Sequence, residues 1–204
     1  MYEVEATGGV LHIIGTNMSA EASSPKLESN GGDAALVAAV RAGDRDAFGR
    51  LYNAYSRMVH GILLARVPYG EVDDLVQDVF LVALRKIDAL RDAAAFGPWL
   101  AMITRNRAMD FHRRTRDTAE LTDDIAMTSD AAAPEAEAVE VLNLIRQLPE
   151  AYREPLILRF VEGMTGPEIA ERTGLAPASV RVNIHRGMKL LRERLTGTKH
   201  EREH

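Results

Sequence analysis

The stretch MTGPEIAERTGLAPASVRVNIHRGMKLL, residues 164–191, decides the fold of this chain. Thr165 and Glu168 have the spacing of a helix-starting capping box, and Pro167 lies early in the helix, where its missing N–H costs little. Gly174 stands where this helix should end, because glycine readily adopts a left-handed backbone. A turn of about three residues then leads into another helix. The stretch therefore predicts two helices joined by a tight turn.

The second helix of this stretch has two unlike faces. An apolar stripe recurs at three- and four-residue intervals and comprises Val180, Ile184, Met188, Leu191 and Leu195. At about 100° per residue, small and basic side chains fall on the other side, as in a recognition helix that enters a DNA major groove. The residues expected to contact DNA are Ala178, Ser179, Arg181, Val182, His185, Arg186 and Lys189. A plain helical hairpin with a solvated basic face is the alternative.

Helical periodicity also runs through residues 33–115. Asp44 is predicted to cap a long amphipathic helix. The predicted buried face of this helix is Phe48, Leu51, Tyr52, Tyr55, Val59, Ile62 and Leu63. The core side of the next helix is predicted to be Val72, Leu75, Val76, Val79 and Ala83. The opposite side of that helix is an acidic and polar face with one leucine, suited to docking on a basic partner, and consists of Asp74, Gln77, Asp78 and Leu81.

A fourth helix is predicted from about Phe96, with Trp99 on its core side. Residues 105–116 of this helix hold five arginines and one acid. The candidates for binding single-stranded nucleic acid are Arg105, Asn106, Arg113 and Arg116, the arginines pointing outward and the asparagine at the border. The residues predicted nearer the core, with spacings that allow ion pairs, are Arg107, Asp110 and Arg114.

Charge divides the chain into segments. The formal net charge is −5, and residues 117–140 hold eight acids without a lysine or arginine. This acidic segment has no helical stripe until Val139 and is typical of a flexible linker. The predicted fold is therefore all-α, with two small helical domains joined by an acidic linker. The predicted segments are an N-terminal extension (1–32), a first domain (33–115), the linker (116–137), a second domain (138–197) and a charged tail (198–204).

Several classes of protein are disfavoured. The chain has no cysteine, hence no disulfide framework and no thiolate metal site. No apolar run approaches the roughly 20 residues of a membrane span, and the acidic N-terminus is unlike a signal peptide. The final HEREH formally matches a zinc-protease motif, but the chain ends there, so we interpret it as a charged tail and expect no metal or cofactor. Met1 and Met18 are both possible start positions.

Two segments together resemble a known family. VDDLVQDVFLVAL followed by FGPWLAMITRNRAMDFHRR is similar to conserved region 2 of bacterial sigma factors of the extracytoplasmic-function group. The segment LPEAYREPLILRFVEG, continued by the helix-turn-helix stretch, resembles region 4 of the same group. The resemblance covers about residues 33–115 and 138–195 in the expected order. One departure is the pair Ala178-Ser179, where the family often has Gly-Thr.

The resemblance implies a cytoplasmic specificity subunit of RNA polymerase and not an enzyme. It implies that Asp74, Gln77, Asp78 and Leu81 contact core polymerase, and that the arginine-rich helix contacts the opened −10 promoter element. The connection 88–95 would receive a flipped base, and the helix-turn-helix would contact the −35 element. It further implies an anti-sigma partner and a stress or envelope-response regulon. The linker would enter the RNA exit path as an acidic mimic of RNA, or serve only as a soluble tether.

Two other functions fit parts of the sequence. A self-sufficient helix-turn-helix repressor would use the N-terminal helices to dimerise and would bind palindromic duplex DNA alone. A protein-only adaptor would bind neither DNA nor polymerase. A sigma factor differs from both because tight and asymmetric promoter binding requires core polymerase.

Overall fold

The computed structural model describes residues 31–119 and 133–202, and every regular element in these ranges is helical. The α-helices of these ranges are α1 (Gly31–Arg41), α2 (Arg45–Leu64), α3 (Val72–Lys86), α4 (Phe96–Ala119), α5 (Ala133–Arg146), α6 (Glu150–Phe160), α7 (Gly166–Thr173) and α8 (Pro177–Arg202). Short 3-10 turns at Tyr69–Glu71, Ile87–Ala89 and Ala93–Ala95 lie in the connections on either side of α3. The predicted all-α class is confirmed. Most of the predicted linker and residues 1–30 lie outside the described residues.

Four helices extend beyond the predicted segments, and the first of them, α1, begins at Gly31 within the predicted N-terminal extension. Helix α4 continues to Ala119 and α5 begins at Ala133, so both enter the segment that the sequence assigned to the linker. Alanine and glutamate are strong helix formers, and Pro134 is tolerated in the first turn, which explains the early start of α5. Helix α8 likewise continues to Arg202, within the predicted charged tail.

Helices α1 to α4, the first unit, pack around one apolar core. Asp44 caps α2 as predicted, because its Oδ1 accepts hydrogen bonds from the backbone N–H groups of Asp46 and Ala47 at 2.9 and 3.0 Å. The predicted α2 residues that are buried are Leu51, Tyr55, Val59, Ile62 and Leu63. Phe48 is half-buried. The prediction was wrong for Tyr52, which is 38% exposed.

The ring of Tyr52 is exposed because it lies across the outer side of Phe80, with 4.5 Å between ring centroids. Phe80 itself is only 3% exposed and was not among the predicted core residues of α3. The predicted core side of α3 is otherwise confirmed, with Val72, Val76, Val79 and Ala83 buried and Leu75 half-buried. In α4, Trp99 packs 5.8 Å from the ring of Phe96 on the core side, as predicted.

Helices α5 to α8, the second unit, contain the helix-turn-helix. The Thr165 hydroxyl accepts from the Glu168 N–H at 3.3 Å, and the Glu168 carboxylate accepts from the Thr165 N–H at 2.8 Å, so the capping box is present. Gly174 ends α7 with φ at 73°, the left-handed backbone that the sequence predicted. Val180 and Leu191 of the α8 stripe are buried. The predicted turn between two helices is therefore confirmed.

The two units pack directly on each other, α6 against α2 and α7 against α4. Glu154 of α6 is 3% exposed and lies between two arginines of the first unit. Its carboxylate is 2.7 Å from Arg66 and 2.6 Å from Arg105. A buried carboxylate is tolerated only when it is paired and hydrogen-bonded, so this arrangement requires both units to be in place.

A second carboxylate, that of Glu162 just beyond the end of α6, also faces the first unit. Glu162 is 7% exposed, and its Oε1 lies 2.6 Å from Nδ1 of His60, while Nε of Arg57 lies 3.9 Å from its Oε2. Here the cation comes from the second unit: Arg146 of α5 donates to the carbonyl oxygens of Leu64 and Val67 at 3.0 and 2.8 Å. These carbonyls stand at and beyond the end of α2, where helices lack internal donors.

Arg172 of α7 completes the interface. Its guanidinium donates to the Ala54 carbonyl at 2.6 Å and lies 5.5 Å from the centroid of the Tyr55 ring. Gly61 lets the helices approach closely, since a Cβ there would be 2.7 Å from Cδ2 of Leu158 and 2.8 Å from Cγ of Glu162. The two units are thus held together by specific hydrogen bonds and by close packing of their helices.

We predict opposite effects for two glycine substitutions in α2. Gly49→Ala should raise the melting temperature by a few degrees, because a Cβ at Gly49 meets nothing within 4 Å and alanine favours the helix by about 1 kcal/mol. Gly61→Ala should lower it, because the same helix gain is opposed by the clash with α6. The measurement is thermal unfolding of both variants by circular dichroism. An equal rise for both would contradict the close packing of α2 on α6.

The His60 contact predicts a pH dependence. The hydrogen bond to Glu162 raises the pKa of His60 above its ordinary value of about 6.5, with burial acting in the opposite direction and Asp73 adding to the rise. A raised folded-state pKa stabilises the folded form below about pH 6.5, and this stabilisation is lost as pH rises through the folded pKa. The free energy of unfolding should therefore fall between about pH 6 and pH 8 more in the wild type than in His60→Gln. The control variant His185→Gln, on the exposed side of α8, should show the same fall in the free energy of unfolding as the wild type. If His60→Gln also shows the wild-type fall, the pH dependence does not come from His60.

Candidate nucleic-acid and protein interfaces

Helix α8 presents the predicted recognition face to solvent. The candidate residues are all exposed and comprise Ala178, Ser179, Arg181, Val182, His185, Arg186 and Lys189. Helix α7 and α6 pack behind α8, so the apolar stripe is turned inward and the basic side outward. Among the described residues, no carboxylate lies within ion-pair distance of Arg181, Arg186 or Lys189. The face therefore offers cations and small apolar groups suited to phosphates and base edges.

The arginine-rich part of α4 divides differently from the helical-wheel prediction. Asn106, Arg113 and Arg116 are exposed, as expected. Asp110 forms an ion pair with Arg113 at 3.0 Å, and the predicted position of Arg114 nearer the core is wrong because Arg114 is exposed.

Arg105 does not point outward, which corrects the helical-wheel prediction. Its guanidinium lies against the second unit, with Nη2 and Nε at 2.6 and 3.2 Å from the oxygens of Glu154. The same Nη2 is 3.4 Å from the Thr173 carbonyl oxygen. The wheel identified the side of α4 that faces away from the core of the first unit, but the second unit covers part of that side.

Helix α3 presents the predicted polar face. Asp74, Gln77 and Asp78 are exposed, and Leu81 is 50% exposed beside them. Leu84, 43% exposed, extends the apolar part by one turn and was not predicted. Its signal in the sequence was the three-residue spacing from Leu81, which places both on one helix face.

A cleft of about 300 Å³ opens between the end of α3 and the middle of α4. Its floor is apolar, formed by Val82 and Ile103. Its polar lining consists of Arg85, Lys86, Asn106, Arg107 and Asp110. The predicted single-strand candidate Asn106 thus lines a cleft with three cations, two of which, Arg85 and Lys86, were not among the residues predicted from the sequence.

The connection that follows this cleft is held from α1. The Arg41 guanidinium donates twice to the Ile87 carbonyl, at 2.8 and 3.2 Å, and also to the Leu90 carbonyl. The Asp92 carboxylate accepts from the Ala94 N–H at 3.0 Å. The predicted base-receiving connection 88–95 therefore has a defined backbone conformation, and Arg41 is the residue that fixes its first half.

Other chemistries find little support in the described ranges. There, no group of three or more histidine, aspartate or glutamate residues could hold a metal ion. None of the helices in those ranges is both long and apolar enough to cross a bilayer. The side chains of the HEREH motif lie outside the described residues.

The exposed faces and the fold define a helical transcription regulator with two units, and family comparisons agree. The family model described as Sigma-70 region 2 matches residues 51–118, and the family model described as Sigma-70, region 4 matches residues 138–191. The chain therefore belongs to the sigma-70 family.

Individual relatives narrow this to the extracytoplasmic-function (ECF) group. RNA polymerase sigma factor CarQ of Myxococcus xanthus is 33% identical over 161 residues, which span 76% of this chain and 92% of CarQ. The ECF RNA polymerase sigma-E factor of Haemophilus influenzae is 30% identical over 179 residues, spanning 80% of this chain and 95% of that protein. The structure of CnrH, solved in complex with the cytosolic domain of CnrY, superposes with a TM-score of 0.59 at 26% identity, covering 81% of this chain and 98% of that chain.

Proposed function

We propose that this chain binds core RNA polymerase and directs it to promoters, the polymerase supplying all the chemistry. The observation that carries the proposal is the presence of two separate and unlike exposed surfaces in one chain. The acidic-polar face of α3 suits a basic protein partner, and the basic face of α8 suits duplex DNA. On this proposal the protein works in the cytoplasm as a regulator and has no catalytic site of its own.

Each surface takes a defined role. The polymerase-docking residues are Asp74, Gln77, Asp78 and Leu81, to which we add Leu84. The −10 element, once opened, contacts Asn106, Arg113 and Arg116, with an unpaired base in the cleft beside the connection 88–95. Arg105, predicted with them, is paired with Glu154 in the structure. The exposed residues of α8 contact the −35 element.

The self-sufficient repressor is less well supported than a sigma factor. A repressor has no use for the exposed α3 face, and the chain matches both sigma-70 regions in order. The structural relative CnrH was solved with the cytosolic domain of CnrY, and we propose that a regulatory protein also binds this chain. The half-exposed Leu81 and Leu84 are the apolar surface on which such a protein and polymerase would compete.

The docking role predicts that Gln77→Ala combined with Asp78→Arg abolishes co-elution with core polymerase and leaves the circular dichroism spectrum unchanged. Both residues are exposed, so the fold should tolerate the change, whereas a reversed charge opposes docking. The matched control is Glu193→Arg, which reverses an exposed charge on α8 and should bind polymerase normally. Wild-type co-elution of the double variant would place the docking site elsewhere.

The nucleic-acid role of α4 predicts an effect on salt dependence. Replacing Arg113 and Arg116 by alanine should reduce the slope of log affinity against log salt by roughly 1.4 to 1.8, the equivalent of two phosphate contacts. Stability should change by about 0.5 kcal/mol or less, since both side chains are exposed. The measurement is promoter binding by the polymerase complex at several salt concentrations.

The matched control for this prediction is Arg45→Ala with Arg50→Ala, which removes two exposed charges from α2 of the same unit. It should leave the slope unchanged. Equal slopes for the two double variants would exclude a specific role for the outer side of α4.

A further inference from the structure

Two methionines are exposed on the outer side of α4. Met102 is 49% exposed and Met109 is 61% exposed, and among the described residues of α4 these are the exposed large apolar side chains. Asn106 lies between them at helical spacing, so the three side chains share one face of the helix. Arg113 and Arg116 continue the same face toward the end of α4. The methionines therefore belong to the surface to which the proposed function assigns the opened −10 element.

The phenylalanine and tryptophan rings of α4 are turned away from this surface. Single-strand binding combines cations with a side chain on which bases stack, most often an aromatic ring. Phe96 is buried, and Trp99 packs 5.8 Å from its ring. Phe111 is half-buried against the core. These rings are occupied by contacts within the protein, so apolar contact between a base and the outer side of α4 falls to Met102 and Met109.

A methionine side chain suits contact with a base. It is unbranched and flexible, and its polarizable sulfur packs favourably against aromatic rings, a class that includes the nucleobases. Methionine is also among the apolar residues that proteins insert between base steps. Seven residues at about 1.5 Å each place Met102 and Met109 about 10 Å apart along the helix axis. The two thioethers can therefore contact different bases, on either side of Asn106.

The same exposure makes these two sulfurs accessible to oxidants. Met58 is fully buried, Met164 is 4% exposed and Met188 is half-buried. Cysteine is absent from the sequence, so methionine carries all of the side-chain sulfur. Oxidation of a sulfur atom depends on its exposure. Hydrogen peroxide should therefore react with Met102 and Met109 before it reacts with the buried methionines.

We propose that Met102 and Met109 form an oxidation-sensitive contact with nucleobases, and that peroxide weakens nucleic-acid binding by modifying them. The proposal rests on the proposed function for the placement of nucleic acid on α4. In the modification, the thioether sulfur attacks one oxygen of hydrogen peroxide, an S–O bond forms, and the O–O bond breaks. After proton transfer the second oxygen leaves as water. The sulfur loses two electrons, the peroxide gains them, and the product is methionine sulfoxide.

The sulfoxide opposes base contact because it is polar. Oxidation converts a flexible apolar side chain into one that holds water, and that water must be removed before a base can pack against it. Arg113 and Arg116 keep their charges, so attraction to phosphates persists while the base contact is lost. Both methionines are exposed, so the core of the first unit stays intact. The change is reversible, since sulfoxide reductases restore the thioether.

The first measurement locates the oxidation. The folded full chain is treated with hydrogen peroxide for increasing times and then digested, and the added oxygen is assigned to individual methionines by mass spectrometry. Met102 and Met109 should be oxidised faster than Met58 and Met164. Equal rates for the exposed and the buried pair, with an unchanged circular dichroism spectrum, would overturn the assignment of the modification site.

The second measurement is the affinity of the full chain for a fluorescent oligothymidylate of about 12 nucleotides. The matched control probe is an abasic strand of the same length, which has the phosphates and lacks the bases. Met102→Gln combined with Met109→Gln places a polar group at both positions. This variant and the peroxide-treated wild type should both bind the oligothymidylate at least about threefold more weakly than the untreated wild type. Their affinity for the abasic strand should be unchanged, and sulfoxide reductases should restore the oxidised chain.

An oxidation-resistant variant separates the sulfur from the apolar contact. Met102→Leu combined with Met109→Leu keeps two apolar side chains and removes both sulfurs. It should bind the oligothymidylate with close to wild-type affinity and should no longer respond to peroxide. Leucine and glutamine are good helix formers and both positions are exposed, so the fold should be retained. The matched control is Met188→Leu, which removes a half-buried methionine of α8 and should stay as sensitive to peroxide as the wild type.

Three binding results would overturn the proposal. If the wild-type chain binds the oligothymidylate no better than the abasic strand, α4 makes no base contact. If the double glutamine variant binds the oligothymidylate like the wild type, the base contact lies elsewhere. If the double leucine variant loses affinity on peroxide treatment as the wild type does, the sensitivity comes from other residues.

Failure of the proposed function is a separate outcome. It would appear as absence of promoter-specific run-off transcription by the untreated wild-type chain with core polymerase. Binding of the two probes requires neither polymerase nor a promoter, so the two failures are distinguishable.

Discussion

One buried carboxylate sets the relation between the two halves of this protein. Glu154 of α6 has lost nearly all contact with water, and two arginines, one just beyond the end of α2 and one in α4, replace that hydration. Removing one partner from such a group leaves an uncompensated charge in a low-dielectric site, so the pairing constrains three helices at once. Three other contacts accompany the burial of Glu154 between its arginines. They are the close approach to α2 at Gly61, the bonds from Arg146 to carbonyls of the first unit, and the packing of α7 beside α4.

Charge serves two purposes in the same molecule. The cations of α8 and the outer side of α4 remain exposed, where they are available to a polyanion. The first-unit cations that face the interface are matched by acids of the second unit and have a structural role. Arg105 belongs to the second group, although α4 carries it on the boundary between its exposed side and the side covered by the second unit. The overall charge of −5 therefore says little about DNA binding, which depends on the local distribution.

The proposed surfaces differ in their accessibility to solvent. The polar face of α3 and the basic face of α8 point to solvent while the two units are packed together. The covered surface includes Arg105 and the flank of α4 that carries it.

The sequence by itself determined the features that depend on local spacing. The capping box at Thr165, the left-handed Gly174, the Asp44 cap and the exposed faces of α3 and α8 all follow from intervals of three or four residues, because helix geometry relates neighbours along one element. Tertiary structure decided the contacts between elements: Tyr52 lies exposed over Phe80, and Arg105 pairs with Glu154. Glu154 lies 49 positions from Arg105. No periodic pattern links residues so far apart, and a helical wheel shows only which side of a helix avoids its own core, so only the packing of the second unit could reveal what covers that side.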